Sequence, residues 1–156
     1  MRSLALLPTT ILLFACTQFE NSETEAESIR AQLIEIARMS ALDRPTTEMT
    51  AEYLHYFSAE PTLLPAGGAA IHGRDAIARF YDSAFDGITI ISNDYEQPVV
   101  IVNGSTAVRR YLGTAVFELQ GDEEPEIARN RYIDVLVKED GEWKMQWHSW
   151  VPVTWE

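Results

Sequence analysis

The stretch from Ile127 to Val151, IARNRYIDVLVKEDGEWKMQWHSWV, decides the fold. It reads as two strands, Glu126–Lys138 and Glu142–Val151, joined at Glu139-Asp140-Gly141, where a glycine able to take the left-handed conformation closes a three-residue hairpin loop. With Lys138 paired to Glu142, Asp134 falls opposite Gln146, Tyr132 opposite His148 and Asn130 opposite Trp150. One face of the hairpin is then polar and aromatic, and the other collects Ile133, Val135, Val137, Trp143, Met145 and Trp147. A two-residue Asp-Gly turn puts Asp134 opposite Trp147 and mixes the two sets, so segregation of the faces selects the longer loop.

Upstream, strand-like periodicity covers Ile88–Val102 and Ser105–Leu119, with Asn103-Gly104 as a hairpin turn between them. The run Gly121-Asp122-Glu123-Glu124-Pro125 turns the chain into the terminal hairpin. Before the strands, Gly73 opens a helix in which Ile77, Phe80, Tyr81, Ala84 and Phe85 recur at helical spacing. Short strands at Thr62-Leu63-Leu64 and Ala69-Ala70-Ile71 flank Pro65-Ala66-Gly67-Gly68. That Gly-Gly pair is no phosphate loop, because no Lys-Ser or Lys-Thr follows it. A second helix is expected over Thr46–Phe57, with Met49, Tyr53, Tyr56 and Phe57 inward, and a first over Glu23–Ser40, behind capping-box signals at Ser22 to Glu27. Asp43-Arg44-Pro45 separates them. The order is α+β: three N-terminal helices packed on a curved, mostly antiparallel sheet.

A chain of 156 residues that is 46% apolar can bury a real core. Its formal charge of -12 repels phosphate backbones, so nucleic acid is not an expected partner. At the N-terminus, Met1-Arg2-Ser3 is a short basic start, followed by an apolar run too short to span a bilayer and ending in Leu13-Phe14-Ala15-Cys16. That ending resembles a bacterial lipobox, and Cys16 is the single cysteine, which excludes an intramolecular disulfide. The expected organisation is a lipoprotein signal peptide over 1–15, a tether over 16–22 and one domain over 23–156. The domain would then sit at the cell envelope, held to the membrane only by lipid on Cys16.

Ile71-His72-Gly73-Arg74-Asp75-Ala76-Ile77-Ala78-Arg79-Phe80-Tyr81, taken with Tyr132-Ile133-Asp134-Val135 and a Trp-rich last strand, resembles the nuclear transport factor 2-like superfamily. Ketosteroid isomerases, SnoaL-like polyketide cyclases and the association domain of calmodulin-dependent kinase belong to it. The resemblance covers about Glu23 to Val151 and implies a cone-shaped fold whose helices and concave sheet enclose a pocket. In ketosteroid isomerases an Asp immediately before a proline is the general base; here Leu64 precedes Pro65, and Leu64 has no proton to exchange. The oxyanion-stabilising Asp of those enzymes matches Asp134, the supporting tyrosines match Tyr56 and Tyr81, and the pocket tryptophan matches Trp150. The resemblance also places Arg110 on the pocket wall. Steroid isomerisation by the usual machinery is therefore not expected.

Asp134 and His148 remain as a candidate acid/base pair, with Asp134 orienting an imidazole that moves protons near neutral pH. The competing account is an internal network in which Arg110 neutralises Asp134 and His148 merely fills a hydrogen bond. An open path from His148 to a cavity free of competing ion pairs would discriminate them. Tyr56, Leu64, Tyr81, Arg110, Tyr132, Gln146 and Trp150 are the expected ligand-binding residues, suited to a small apolar or amphiphilic ligand. His55, His72 and His148 lack metal-ligand spacing, so neither metal nor cofactor is expected. The expected function is a binding domain for a hydrophobic or carbonyl ligand; the alternative is a SnoaL-like cyclase, isomerase or hydrolase working through Asp134 and His148 as an acid/base pair. Turning these residues inward sends the apolar set from Ile133 to Trp147 outward, which points to a homodimer built on the sheet. Hydrophobic patterning alone would turn the sheet the other way.

Overall fold

The computed structural model describes residues 10–40, 46–121 and 124–153, with side chains from 22 to 40 and from 48 onward within them. The start of the leader, the Asp43-Arg44-Pro45 break, Asp122-Glu123 and the Cys16 side chain lie outside the described parts. Helix α1 runs over Thr10–Ser40, through the segment expected to be a tether. Capping signals at Ser22 to Glu27 do not start it, since no Gly or Pro between 10 and 40 interrupts a helix begun earlier. Its inward stripe is Ala26, Ile29, Leu33, Ile36 and Met39, all buried. Helix α2 covers Thr46–Tyr53 and tightens into a 3-10 turn at Leu54–Tyr56; Phe57, expected to be helical, has extended backbone and opens strand β1 (Phe57–Leu64). Strand β2 (Ile71–His72) leads through Gly73, at φ 82°, into helix α3 (Arg74–Ala84), whose Ile77 and Tyr81 are buried one turn apart.

The remaining strands are β3 (Ile88–Tyr95), β4 (Val99–Asn103), β5 (Thr106–Leu119), β6 (Glu126–Glu139) and β7 (Glu142–Pro152). The expected single strand over 88–102 is split at Glu96-Gln97-Pro98, where proline has no N–H to give the ladder. Both pieces still pair with β5 along the same edge: β3 with residues 113–119 and β4 with residues 106–110. Their connection closes at Asn103 opposite Thr106, so the loop residues are Gly104 and Ser105 rather than Asn103 and Gly104. The seven strands form one sheet in the order β2-β1-β7-β6-β5-β3, with β4 also on β5. Every pairing is antiparallel except that of β1 with β7. This is the expected α+β architecture.

The terminal hairpin differs from expectation in an instructive way. Glu139 pairs with Glu142, so the loop is the two-residue Asp140-Gly141, with φ of 51° and 88° as a primed hairpin turn requires. The faces nevertheless stay segregated, because Leu136 pairs with Met145 while Val135 pairs with Trp147, leaving Gln146 as an extra bulged residue. One inserted residue flips the side-chain parity of everything beyond it. Trp143 and Met145, expected outside, are therefore buried with Leu136 in the core, and beyond the bulge Asp134 faces His148 and Tyr132 faces Trp150. The Gln146 amide donates to Glu60 O at 2.6 Å, beside the irregular register between β1 and β7. Ile133 and Trp147 do point outward, joined by Val99, Ile101, Val108 and Val151.

Helix α1 is tied across the start of this hairpin. Trp143 Nε1 donates to Glu25 at 2.6 Å, Lys138 ion-pairs with the same carboxylate, and Gln32 Nε2 donates to Trp143 O at 2.8 Å.

Candidate functional site

Three adjacent strands place one charged row under α1. Arg109 on β5 and His148 on β7 are the direct cross-strand partners of Asp134 on β6, and strand alternation turns all three inward. Asp134 and Arg109 are fully buried and His148 nearly so. The carboxylate divides its two oxygens. Oδ2 takes Arg109 Nε at 2.8 Å and the terminal NH2 at 2.6 Å, while Oδ1 meets His148 Nδ1 at 2.7 Å. Arg109 NH1 reaches on to Ile29 O at 3.4 Å and Gln32 Oε1 at 3.3 Å, so the guanidinium also ties α1 to the sheet.

This geometry sets the protonation states. Burial pushes the Asp134 carboxyl up, but the charge of Arg109 and the contacts with His148 outweigh it and hold the group below its ordinary value. Burial pulls the Arg109 guanidinium down, and Asp134 more than restores it. An ionised Asp134 can only accept, so His148 Nδ1 carries the hydrogen. In the neutral imidazole the lone pair is then on Nε2, the nitrogen at the far edge of the ring from Asp134.

His148 borders a cavity of about 290 Å³ between the helices and the inner face of the sheet. Its apolar wall includes Met39, Met49, Phe80, Phe85, Ile90 and Phe117. Its polar lining includes Asn93, Tyr95, Asn130, Tyr132 and His148. Rings step across the strands: Tyr111 stacks on Tyr132 at 4.8 Å, Tyr132 on His148 at 5.7 Å, and Trp150 tilts against His148 at 5.5 Å. Among the described residues lining the cavity there is no Asp, Glu, Lys or Arg; the ion pair lies behind His148. Burial pushes the phenols of Tyr53 and Tyr81 well up, so they stay neutral and serve as donors rather than bases.

Of the residues expected at the site, His148, Tyr81, Tyr132 and Trp150 border the cavity and Asp134 supports it from behind. Arg110 does not: it is exposed on the outer face, paired with Ile133 and Val99, and the inward arginine is Arg109. Gln146 is the bulged residue and bonds to Glu60. Leu64 is half exposed at the end of β1. Tyr56 lines a separate surface cleft beside His55 and Lys144, because α2 ends before it. Tyr53, Asn93, Tyr95, Asn130 and Arg109 belong to the site without having been expected there. Arg109 was legible in the alternation Ala107, Arg109, Tyr111, Gly113 once the hairpin register is right. Among the described residues no group of three His, Cys, Asp or Glu gathers to hold a metal ion.

The family profile of the SnoaL-like domain matches residues 38–147. The chain belongs to the SnoaL-like domain family. No curated protein matches it in sequence. Solved structures share the SnoaL-like fold at low identity. A proposed scytalone dehydratase from Novosphingobium aromaticivorans is 17% identical with a TM-score of 0.72, over 84% of this chain and 85% of that one. A ketosteroid isomerase-like protein from Erwinia carotovora atroseptica is 18% identical with a TM-score of 0.65, over 82% and 97%. A nuclear transport factor 2-like protein with a cystatin-like fold, also from Novosphingobium aromaticivorans, is 15% identical with a TM-score of 0.66, over 96% and 92%. At such identities the likeness carries the fold of a SnoaL-like domain and not its chemistry.

The buried row has a measurable signature. Arg109→Met leaves the buried Asp134 charge without its cation, with His148 as the remaining partner, and should cost about 3–5 kcal/mol in urea unfolding at pH 7, whereas the double change Arg109→Met with Asp134→Leu should recover much of that. Because the folded-state value of Asp134 is depressed, its stabilisation is present above the ordinary carboxylate range and is lost as pH falls through the folded value. Asp134→Asn should therefore flatten the dependence of stability on pH at the acid end.

Proposed function

We propose that this SnoaL-like domain is an acid–base enzyme for a small uncharged carbonyl compound, with His148 as the proton-transferring group and Asp134 as its positioning partner. One observation carries it: Arg109 holds Asp134 ionised, Asp134 holds the hydrogen on His148 Nδ1, and the ring borders a cavity with no described charged side chain. No described lining residue of that cavity is an acid or a strong base, and the Arg109–Asp134 pair lies behind the ring. Nε2 takes a proton from the carbon next to a carbonyl, the C–H electron pair forms a carbon–carbon double bond as the carbonyl π pair moves onto oxygen, and a neutral phenol of the lining, such as Tyr53, would donate to that oxygen. Return of the electron pair either takes the proton back at another carbon or expels a neighbouring hydroxyl, which leaves as water with the proton from Nε2. Isomerisation and dehydration are the two outcomes, and they are also the activities that the names of two structural neighbours carry.

The assay needs no knowledge of the natural substrate. Exchange of the α-protons of 2-tetralone into deuterated buffer, followed by proton NMR, should be accelerated by the protein, and His148→Gln should reduce the acceleration by about 10²–10⁴. Asp134→Asn should reduce it as well, by releasing the tautomer. Retention of a ligand without any exchange would support a binding domain instead.

Two further proposals concern where and how the domain works. The outer sheet face, with Trp147 at 52% exposure and Ile133 at 50%, supports a homodimer through that surface. Trp147→Glu should convert a dimer into a folded monomer in sedimentation at micromolar concentration, with helical circular dichroism unchanged; a wild-type monomer refutes it. Leu13-Phe14-Ala15-Cys16 supports attachment at the cell envelope through lipid on Cys16. Intact mass of the membrane fraction should then show a chain beginning at a lipidated Cys16, and a soluble product beginning elsewhere refutes it.

A further inference from the structure

The polar wall of the cavity contains groups that proton transfer at His148 does not use. Asn93 and Tyr95 come from β3 and Asn130 and Tyr132 from β6, on either side of β5. Tyr95 and Asn130 are both register partners of Gly113 on the strand between them. A Cβ at Gly113 would lie 2.8 Å from the Tyr95 ring and 2.9 Å from the Tyr132 ring, closer than real side chains come. Gly113 is thus required for space, and its bare Cα lets two phenols converge over the middle strand.

Hydrogen bonds orient the four side chains. Asn93 Nδ2 donates to Ser40 Oγ and to Tyr95 Oη, each at 2.9 Å, and Ser40 in turn donates to Ala37 O. Asn130 Nδ2 donates to Tyr132 Oη at 3.4 Å. Each phenol oxygen accepts from an amide, so its own hydrogen is left to donate, and the Oδ1 of each asparagine is left to accept. Burial raises both phenols above their ordinary value, which keeps those hydrogens in place.

We propose that the two Asn–Tyr couples converging over Gly113 form a recognition subsite for an uncharged oxygen substituent, a hydroxyl or a ketone, on a flat ring compound. In calling that compound the substrate, the proposal rests on the catalytic reading given above. A hydroxyl finds both donors and acceptors in this strip. A hydrocarbon leaves them unpaired, and a carboxylate meets no Lys or Arg among the described lining residues to offset its lost hydration. The cavity volume sits near the lower end, ~300 Å³, of the usual range for small-molecule sites, which suits two or three fused rings.

Equilibrium dialysis of the purified protein at pH 7 against 2-naphthol, naphthalene and 2-naphthoate tests this. The wild type should bind 2-naphthol about tenfold more tightly than naphthalene and 2-naphthoate more weakly than either. Tyr95→Phe should bring 2-naphthol to the affinity of naphthalene while leaving naphthalene itself unchanged. Gly113→Ala, with its fold checked by circular dichroism, should lose the same preference. Equal binding of the two neutral probes by the wild type, tightest binding of 2-naphthoate, uptake of neither neutral probe, or a preference that survives Tyr95→Phe would overturn the proposal. Failure of 2-tetralone exchange with the naphthol preference intact sinks the catalytic reading alone; the reverse pattern sinks the subsite alone.

Discussion

The buried carboxylate of Asp134 is the constraint on which the rest of the molecule depends. A charge wholly removed from water is tolerated only when its lone pairs are filled, and here Arg109 fills one oxygen and His148 the other. Both partners are reached straight across the sheet, so the register of β5 and β7 against β6 and the satisfaction of that charge are one and the same condition. A slip of one residue on either side would leave an ion in the core without its partner. Arg109 carries the same condition up to α1 through Ile29 and Gln32, which makes the helix a cover over the charged row as well as over the apolar core.

The bulge at Gln146 reconciles two demands that a regular hairpin cannot meet together. Near the turn, Trp143 and Met145 must face Leu136 and the α1 stripe to build the core. Farther along, His148 and Trp150 must face the same way to reach Asp134 and the cavity. Positions 143, 145, 148 and 150 cannot all share one face at a strict period of two, and one extra residue between 145 and 148 restores the match. Stability and site are thereby kept on one surface of one strand.

The result is a division of the inner face. Toward the hairpin turn it is packed solid, with Leu136, Trp143 and Met145 under α1. Toward the other end it opens into a cavity with no Asp, Glu, Lys or Arg among its described lining residues, the ion pair lying behind the imidazole.

Much was legible from residue order alone. Helical spacing in the first half of the chain, clearest from Ile77 to Phe85, and strand alternation in the last third define three helices and a long antiparallel run, and the type of each element follows from local periodicity. The pairing of Asp134 with His148 was reachable too, because both lie within one hairpin. What only the tertiary structure decided is parity: a first hairpin turn moved on by one residue, a terminal turn of two residues rather than three, a bulge at Gln146, and hence Arg109 rather than Arg110 inside and Trp143 and Met145 buried rather than exposed. The physical reason is that periodicity states which residues share a face but not which face meets the helices, nor where a strand skips a residue. Those choices are settled by contacts far apart in the chain, such as Arg109 with Ile29 and Gln146 with Glu60, which no local pattern contains.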